Sequence, residues 1–353
     1  MYEKDERTVL TLDAGGTNLV FSAMQGCEFI VDPVVLPSRT DNLAACLASI
    51  VRGFETVGKS LSGSPAAISF AFPGPADYEA GIIKGELPNF PAFRFGVELG
   101  PILQKHFSLP VFINNDGLLF GMGEAAAGAL PYVNALLKEA GTGKTFRSII
   151  GITLGTGFGC GIVIDGKILS GNNGYGSYLW NQRCYPEDKY IMEEEVSIRA
   201  IVRNYRELSG DQDCKTPKDI YLIAREEADG DFLAARETFA RFGRHVGEAF
   251  CLLNGVVDGV FAIGGGLAGA ADFFMPSLLE VMESSLQMKD GSTIRRCQAD
   301  AVFLDGRDDA AKLNAAMRSG GCTPVLLSSL GASKAISVGA YVSALYKMDM
   351  NQL

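Results

Sequence analysis

Histidine and tryptophan are nearly absent from this 353-residue chain, which has two of the first and one of the second. Its eight cysteines, at positions 27, 46, 160, 184, 214, 251, 297 and 322, form no CxxC pair. With His106 and His245 the only imidazoles, such scatter argues against a zinc site or a disulfide framework, and reduced thiols are expected. No run approaches the roughly 18 consecutive apolar residues of a membrane span. The opening MYEKDERTVL is too charged and too short for a signal peptide. Positive charge is scarce as well. Lys and Arg number 31 against 41 Asp and Glu, a net charge of −10 and a pI near 4.9. Nucleic-acid binding normally needs the opposite, clustered Lys and Arg. The expectation is a cytoplasmic protein with no nucleic-acid partner and no membrane.

What is present describes a globular chain: 47% hydrophobic and 20% charged residues, with nothing suggesting disorder. The length allows two core-bearing domains at about 100–200 residues each. Glycine is in surplus, at 42 residues against a usual share of about 7%, and it concentrates in a few loops. Alternating apolar residues predict a hairpin over 8–24 and a second over 148–169. Strands are expected at 66–72, 111–114, 260–263 and 325–327, and helices at 43–57, 97–105, 118–127, through most of 193–255, and at 337–346. A polar connection is expected at 128–147. Strands mixed with helices at this density predict an α/β fold, in two similar halves facing each other across a cleft.

The first hairpin reads VLTLDAGGTNLVFSAM. Gly15 and Gly16 bare the backbone amides of the turn, Thr17 and Asn18 add side-chain donors, and oriented amides make an anion site. Asp13 would repel a phosphate there unless a divalent cation stood between them, so Asp13 is expected to face a metal–phosphate complex. An ordinary Asp-Gly turn is the alternative. Gly155, Thr156 and Gly157 repeat the chemistry in the second hairpin, as two domains holding one polyphosphate would need. Asn115 and Asp116 follow a strand, and ligands of α/β sheets collect at carboxyl ends of strands. Asp116 there can take a proton from a hydroxyl, with Asn115 fixing a second hydroxyl; a helix N-cap is the competing reading. Gly264, Gly265 and Gly266 end another strand, as a flat platform for adenine or ribose or as packing glycines. Gly143-Lys144-Thr145 imitates a P-loop, but the required earlier glycine is Lys138, and the stretch does not follow a strand.

In this order, Asp13–Asn18, Asn115-Asp116, Leu154–Gly157 and Gly264–Gly266 make the chain resemble the ROK family of sugar kinases and related repressors, within the actin-like ATPase superfamily. Pro73-Gly74-Pro75 and Ser337-Val338-Gly339-Ala340 extend the resemblance toward the C-terminus. It implies two ribonuclease-H-like domains about a central cleft and an ATP:sugar phosphotransferase using ATP and Mg²⁺. The domains would be 1–115, completed by a C-terminal helix at 336–350, and 116–335, carrying the second phosphate hairpin, a sugar-specificity segment and the adenosine loop. Asp13 would face Mg²⁺ through water. Gly15, Gly16, Thr17, Asn18, Gly155, Thr156 and Gly157 would hold phosphates, and Gly265 and Gly266 would lie against the adenosine. Asp116 would be the base on the sugar hydroxyl. Gly74, Asn89, Asn115, Asp116 and Glu193 would match sugar-contacting positions.

The segment 171–197 departs from the family pattern. Tyr178 stands where the family places a Glu and Asn181 where it places a His, and of the zinc motif CxCGxxGC only Cys184 remains. No zinc is expected. Tyr178 and Asn181 are expected to read the far end of the sugar differently, with Trp180 as a stacking platform or a core filler, so glucose is expected to be a poor substrate. The class of sugar, hexose or N-acetylhexosamine, stays open. A catalytically weak sugar-binding or regulatory protein is the alternative to a kinase. Family repressors carry a helix-turn-helix ahead of the first hairpin, and about eight residues precede it here. The expected partner is a small-molecule sugar, and a homodimer remains open. No role is assigned to 285–322.

Overall fold

A computed structural model of the chain describes residues 2–87, 89–185 and 189–350. They fall into two compact units: Met1–Gly128 with Gly161–Gly176 and Leu330–Leu353, and Ala129–Cys160 with Ser177–Ser329.

The first unit begins with four strands, β1 (Val9–Ala14), β2 (Asn18–Gln25), β3 (Glu28–Phe29) and β4 (Val34–Pro37). Helix α1 (Leu43–Ser60) follows, its N-cap Asn42 accepting the Ala45 N–H at 3.0 Å. Cys46, Ile50, Phe54 and Val57 recur at helical spacing along its buried face. Then come β5 (Ala67–Ala71), the short pair β6 (Ala76–Asp77) and β7 (Ile82–Ile83), α2 (Leu99–Phe107), β8 (Val111–Asn114) and α3 (Asp116–Ala126). The sheet order is β3-β2-β1-β5-β8, with β4 also on β2. Strands β1, β5 and β8 run parallel. Every residue of β5 is buried, as expected of a central parallel strand covered on both faces.

The second unit opens with α4 (Ala129–Glu139) and β9 (Ser148–Leu154), which turns into β10 (Phe158–Ile164); the chain passes into the first unit at Gly161, so the rest of β10 and β11 (Lys167–Ile168) are counted there. Three helices follow: α5 (Ile198–Ser209), α6 (Pro217–Ala224) and α7 (Phe232–Asn254). Helix α6 starts on a reciprocal capping box between Thr216 and Asp219, with Pro217 in its first turn. Strand β12 (Val260–Gly264), α8 (Ala271–Glu283), the hairpin β13 (Ser285–Gln287) and β14 (Thr293–Arg295), β15 (Asp300–Leu304), α9 (Asp309–Arg318) and β16 (Cys322–Leu327) complete it. The second sheet has the order β11-β10-β9-β12-β16-β15.

The last helix, α10 (Ala332–Met350), returns to the first unit. Two glycines bring it into backbone contact with α3. A Cβ on Gly123 would lie 1.9 Å from the Ala335 carbonyl oxygen, and one on Gly339 would lie 1.9 Å from that of Leu119. Ser69 of β5 donates to the Ala340 carbonyl at 2.7 Å in the buried seam. The first turns of α3 and α10 are thereby fixed within one packed block.

Two segments differ from their expected form, and 285–322, for which none was expected, proves to be structured. The polar connection at 128–147 is mostly α4, which buries Ala129, Leu130, Val133 and Leu137; helical spacing was present, diluted by surface charge. The region 285–322 contains a two-stranded hairpin, the edge strand β15 and α9. Helix α3 starts at Asp116 rather than 118, which puts this carboxylate in a helix first turn. Among the described residues no helix is long and apolar enough to cross a membrane.

Candidate active site

In the first unit three adjacent parallel strands deliver polar residues at their carboxyl ends. Asp13 is near the end of β1, Gly74 follows β5, and Asn115 and Asp116 follow β8. Register fixes this grouping, since Val9 pairs with Ala67 and Ala71 with Asn114. The turn after Asp13 leaves Gly16, Thr17 and Asn18 exposed. The Gly15 N–H donates to the Asn18 carbonyl at 3.0 Å, where a Cβ on Gly15 would approach the same oxygen to 2.8 Å. Ser38 braces the turn from outside, its hydroxyl donating to the Gly16 carbonyl at 2.6 Å.

Asn89 meets the turn from another loop, its Cβ 3.5 Å from where a Cβ on Gly16 would stand. Its neighbours Leu87 and Phe90 are buried, and Phe90 packs on Phe72 with ring centroids 4.7 Å apart. Gly74 lies beside Tyr78, whose hydroxyl donates to the Phe72 carbonyl at 3.0 Å. Asn115 is the N-cap of α3, accepting the Gly117 N–H at 3.0 Å, and Asp116 Oδ1 accepts the same N–H at 2.9 Å. The N-cap alternative is therefore real for Asn115. It does not remove Asp116 from chemistry, because that residue stays exposed at a helix N-terminus, where negative charge is favoured. Asp13 Oδ2 accepts the hydroxyl proton of Ser333, in the first turn of α10, at 2.9 Å.

The second unit holds its own group. The turn Gly155–Gly157 is closed by the Gly155 N–H donating to the Gly157 carbonyl at 3.1 Å. Glu193 reaches this turn: its Oε2 accepts the Phe158 N–H at 2.9 Å and its Oε1 accepts Arg199 Nη2 at 3.1 Å. Arg199 also donates to the Thr156 carbonyl at 3.5 Å and to Glu194 at 2.8 Å. Burial lowers the pKa of this guanidinium, but the two carboxylates outweigh it and the net shift is upward. Gly265 has φ +91°, and a Cβ there would sit 2.3 Å from the Leu154 carbonyl oxygen. The packing reading therefore accounts for Gly265, whereas Gly266 is exposed with open space above it.

Within the segment 171–197 the backbone at Trp180 comes close to Glu193, the Glu193 N–H donating to the Trp180 carbonyl at 3.0 Å. Tyr178 and Trp180 have ring centroids 6.5 Å apart, and Trp180 is 38% exposed. Asn181 is exposed and accepts from Gln182 at 3.1 Å. Residues 186–188 of this segment lie outside the described residues.

Buried Cys184 places its sulfur 3.4 Å from His245 Nδ1. His245 Nε2 lies 3.7 Å from Glu195, which is paired with Arg203 at 2.7 Å. Burial lowers the His245 pKa. Among the described residues no three His, Cys, Asp or Glu side chains cluster so as to hold a metal ion. Magnesium makes a smaller demand, usually one or two carboxylates with waters and substrate phosphates. Asp13, a hard oxygen donor beside a turn of exposed amides, fits that demand.

Sequence reasoning missed Arg199, Ser333 and the Cys184–His245–Glu195 group. Arg199 follows its partner by only six residues and was legible as a cation beside an acidic cluster. The other contacts close over 320 and 61 residues and leave no local signal.

Three comparisons bear on this geometry. A solved structure of glucokinase from Parabacteroides distasonis superposes with a TM-score of 0.87 at 46% identity, covering 98% of this chain and 99% of that one. Glucokinase from Thermotoga maritima is 26% identical over 292 residues, 77% of this chain and 86% of that protein. The N-acetyl-D-glucosamine kinase of Aliivibrio fischeri is 27% identical over 277 residues, 72% of this chain and 83% of that protein. The ROK family model matches residues 9–302. With that match over most of its length, the chain belongs to the ROK family and has the family's α/β fold of two actin-like ATPase domains.

Proposed function

We propose that the protein transfers the γ-phosphoryl group of ATP to a hydroxyl of a hexose or N-acetylhexosamine. The observation that carries this reading is the convergence of Asp13, Gly74 and Asn115-Asp116 at the carboxyl ends of three adjacent parallel strands. They stand beside a turn of exposed amides in a chain whose relatives are named for glucose and N-acetylglucosamine phosphorylation.

In this proposal Asp116 accepts the proton of the attacking sugar hydroxyl as its oxygen bonds to the γ-phosphorus and ADP departs. Such base assistance is worth roughly 10²–10⁴ in rate. Asn115 and Asn89 hold neighbouring sugar hydroxyls, and Gly74 contacts the sugar through its backbone. Amides of Gly15–Asn18 and Gly155–Gly157 hold phosphates, and Gly266 bounds the adenosine, with Gly265 packed against Leu154 beside it. Magnesium, positioned by Asp13 through water, supplies positive charge to the polyphosphate. Glu193, held by Arg199 and the Phe158 N–H, is a sugar contact in this proposal.

Two observations oppose each other on the sugar. Tyr178 and Asn181 in place of an acid and an imidazole argue for altered reading of the far side of the ring. The name of the Parabacteroides distasonis protein, at 46% identity over nearly the whole chain, argues for glucose. Measuring kcat/KM for glucose, mannose and N-acetylglucosamine by coupled ADP release decides between them. A leading value for glucose favours the neighbour's specificity, and a tenfold or larger preference for another sugar favours the altered segment. ADP release that no sugar stimulates would contradict the kinase reading.

A further inference from the structure

Cys251 and Cys297, in the second unit, face each other outside the site described above. Cys251 is on α7 and Cys297 follows the hairpin β13–β14. Their sulfurs are 3.8 Å apart, and the Cys251 thiol also donates to the Val281 carbonyl at 3.7 Å. An ion pair beside them holds this approach. Glu248, one turn before Cys251, takes both Nη atoms of Arg296 at 2.5 and 2.6 Å, and Arg296 adjoins Cys297 in the chain. Both partners of the pair are largely buried, so the bidentate geometry pins the hairpin's end to the helix.

Access comes from one side. A cavity of about 330 Å³ is lined by Cys251, Glu248 and Arg296 together with Leu252, Leu286 and Tyr185, whereas Cys297 is 1% exposed behind Cys251. The other cysteines lack this combination. Cys27, Cys46, Cys160 and Cys322 are buried with pKa values pushed up to about 11 or 12 by burial, and Cys214 is exposed at the surface. In the pair, the remaining S–H and the guanidinium of Arg296 favour the thiolate at Cys297, while Cys251 is pushed up by Cys297.

We propose that Cys251 and Cys297 form a redox site, a dithiol that a small two-electron oxidant of the peroxide class converts to an intramolecular disulfide. One sulfur of the pair, as thiolate, attacks a peroxide oxygen; the O–O bond breaks and hydroxide leaves, giving a sulfenic acid. The second sulfur then attacks the first, the S–O bond breaks, and a second water forms. Two thiols and one hydrogen peroxide give one disulfide and two waters, with two electrons passing from sulfur to oxygen. Proton transfer across the S···S contact lets either sulfur begin, so the shielding of Cys297 does not stop the reaction.

The test uses full-length protein, hydrogen peroxide, thiol titration in denaturant and peptide mapping. Reduced protein titrates as eight thiols. The proposal expects two fewer after mild peroxide, a peptide joining Cys251 to Cys297, and full recovery with dithiothreitol. In Cys251→Ser and Cys297→Ser the joined peptide disappears, and the remaining thiol is trapped by dimedone as a sulfenic acid. The proposal is overturned if all eight thiols persist, or if their loss maps to Cys214 bridges between molecules or to unbridged oxidation. Titration and mapping read the chemistry directly, so neither depends on kinase activity.

Discussion

Ser333 and Asp13 illustrate how much of the site rests on single contacts. The Ser333 hydroxyl donates to one carboxylate oxygen of Asp13 at 2.9 Å and so restricts how that carboxylate can turn. Ser333→Ala removes that hydrogen bond and leaves the charge in place. At about 1 kcal/mol for a partly exposed bond, kcat/KM for MgATP is expected to fall roughly fivefold with the sugar KM unchanged. Kinetics at varied ATP and saturating sugar check this; a shift confined to sugar KM would contradict the role. Asp13 stood out in the sequence as a carboxylate beside bared glycine amides, with an ordinary Asp-Gly turn as the alternative. Ser333 was not, since only the packing of α10 brings it there.

At the level of elements, the seam between α3 and α10 holds Asp116, the proposed base, and the Ser333 brace of Asp13 in one block. Gly339 meets the Leu119 carbonyl so closely that a methyl group has no room. Gly339→Ala is expected to push the helices apart and destabilise the protein by about 1–3 kcal/mol, in line with overpacking elsewhere. Thermal unfolding should show Tm several degrees lower, and an unchanged Tm would mean that the helices separate freely. The strands that carry the site were readable from their alternation and from the glycine-rich turns between them. Helix α4 was not, because Lys138 and Glu139 and the following Gly-Thr-Gly run make the stretch look like a connection. The hairpin β13–β14 was equally hidden: its strands have three residues each and all six are exposed, so no buried face imposed a pattern.

Across the whole molecule, stability carries a pH signature from His245. Burial holds its folded-state pKa below the ordinary histidine value of about 6.5, so between these two values the unfolded chain binds more protons than the native one. Stability therefore falls as pH drops below about 6.5 and continues to fall until the folded-state pKa is passed. Urea midpoints measured from pH 7.5 to 5 should decline, and His245→Gln should flatten that decline; an identical slope in the variant would assign it to other groups. Family membership was legible from the ordered glycine-, threonine- and aspartate-bearing motifs of both hairpins, the 115–116 pair and the 264–266 glycines. The group of Cys184, His245, Glu195 and Arg203 was not, since each residue alone reads as ordinary core or surface.

Sugar phosphorylation with Asp116 as base is tested most directly by Asp116→Asn, which keeps the shape and removes the proton acceptor. In coupled ADP-release assays with the best of glucose, mannose and N-acetylglucosamine, kcat is expected to fall by roughly 10²–10⁴. Sugar affinity, measured by calorimetry, should stay within a few-fold of wild type. A variant that keeps more than about a tenth of wild-type turnover would fall well short of that loss and contradict the assignment of Asp116 as the base.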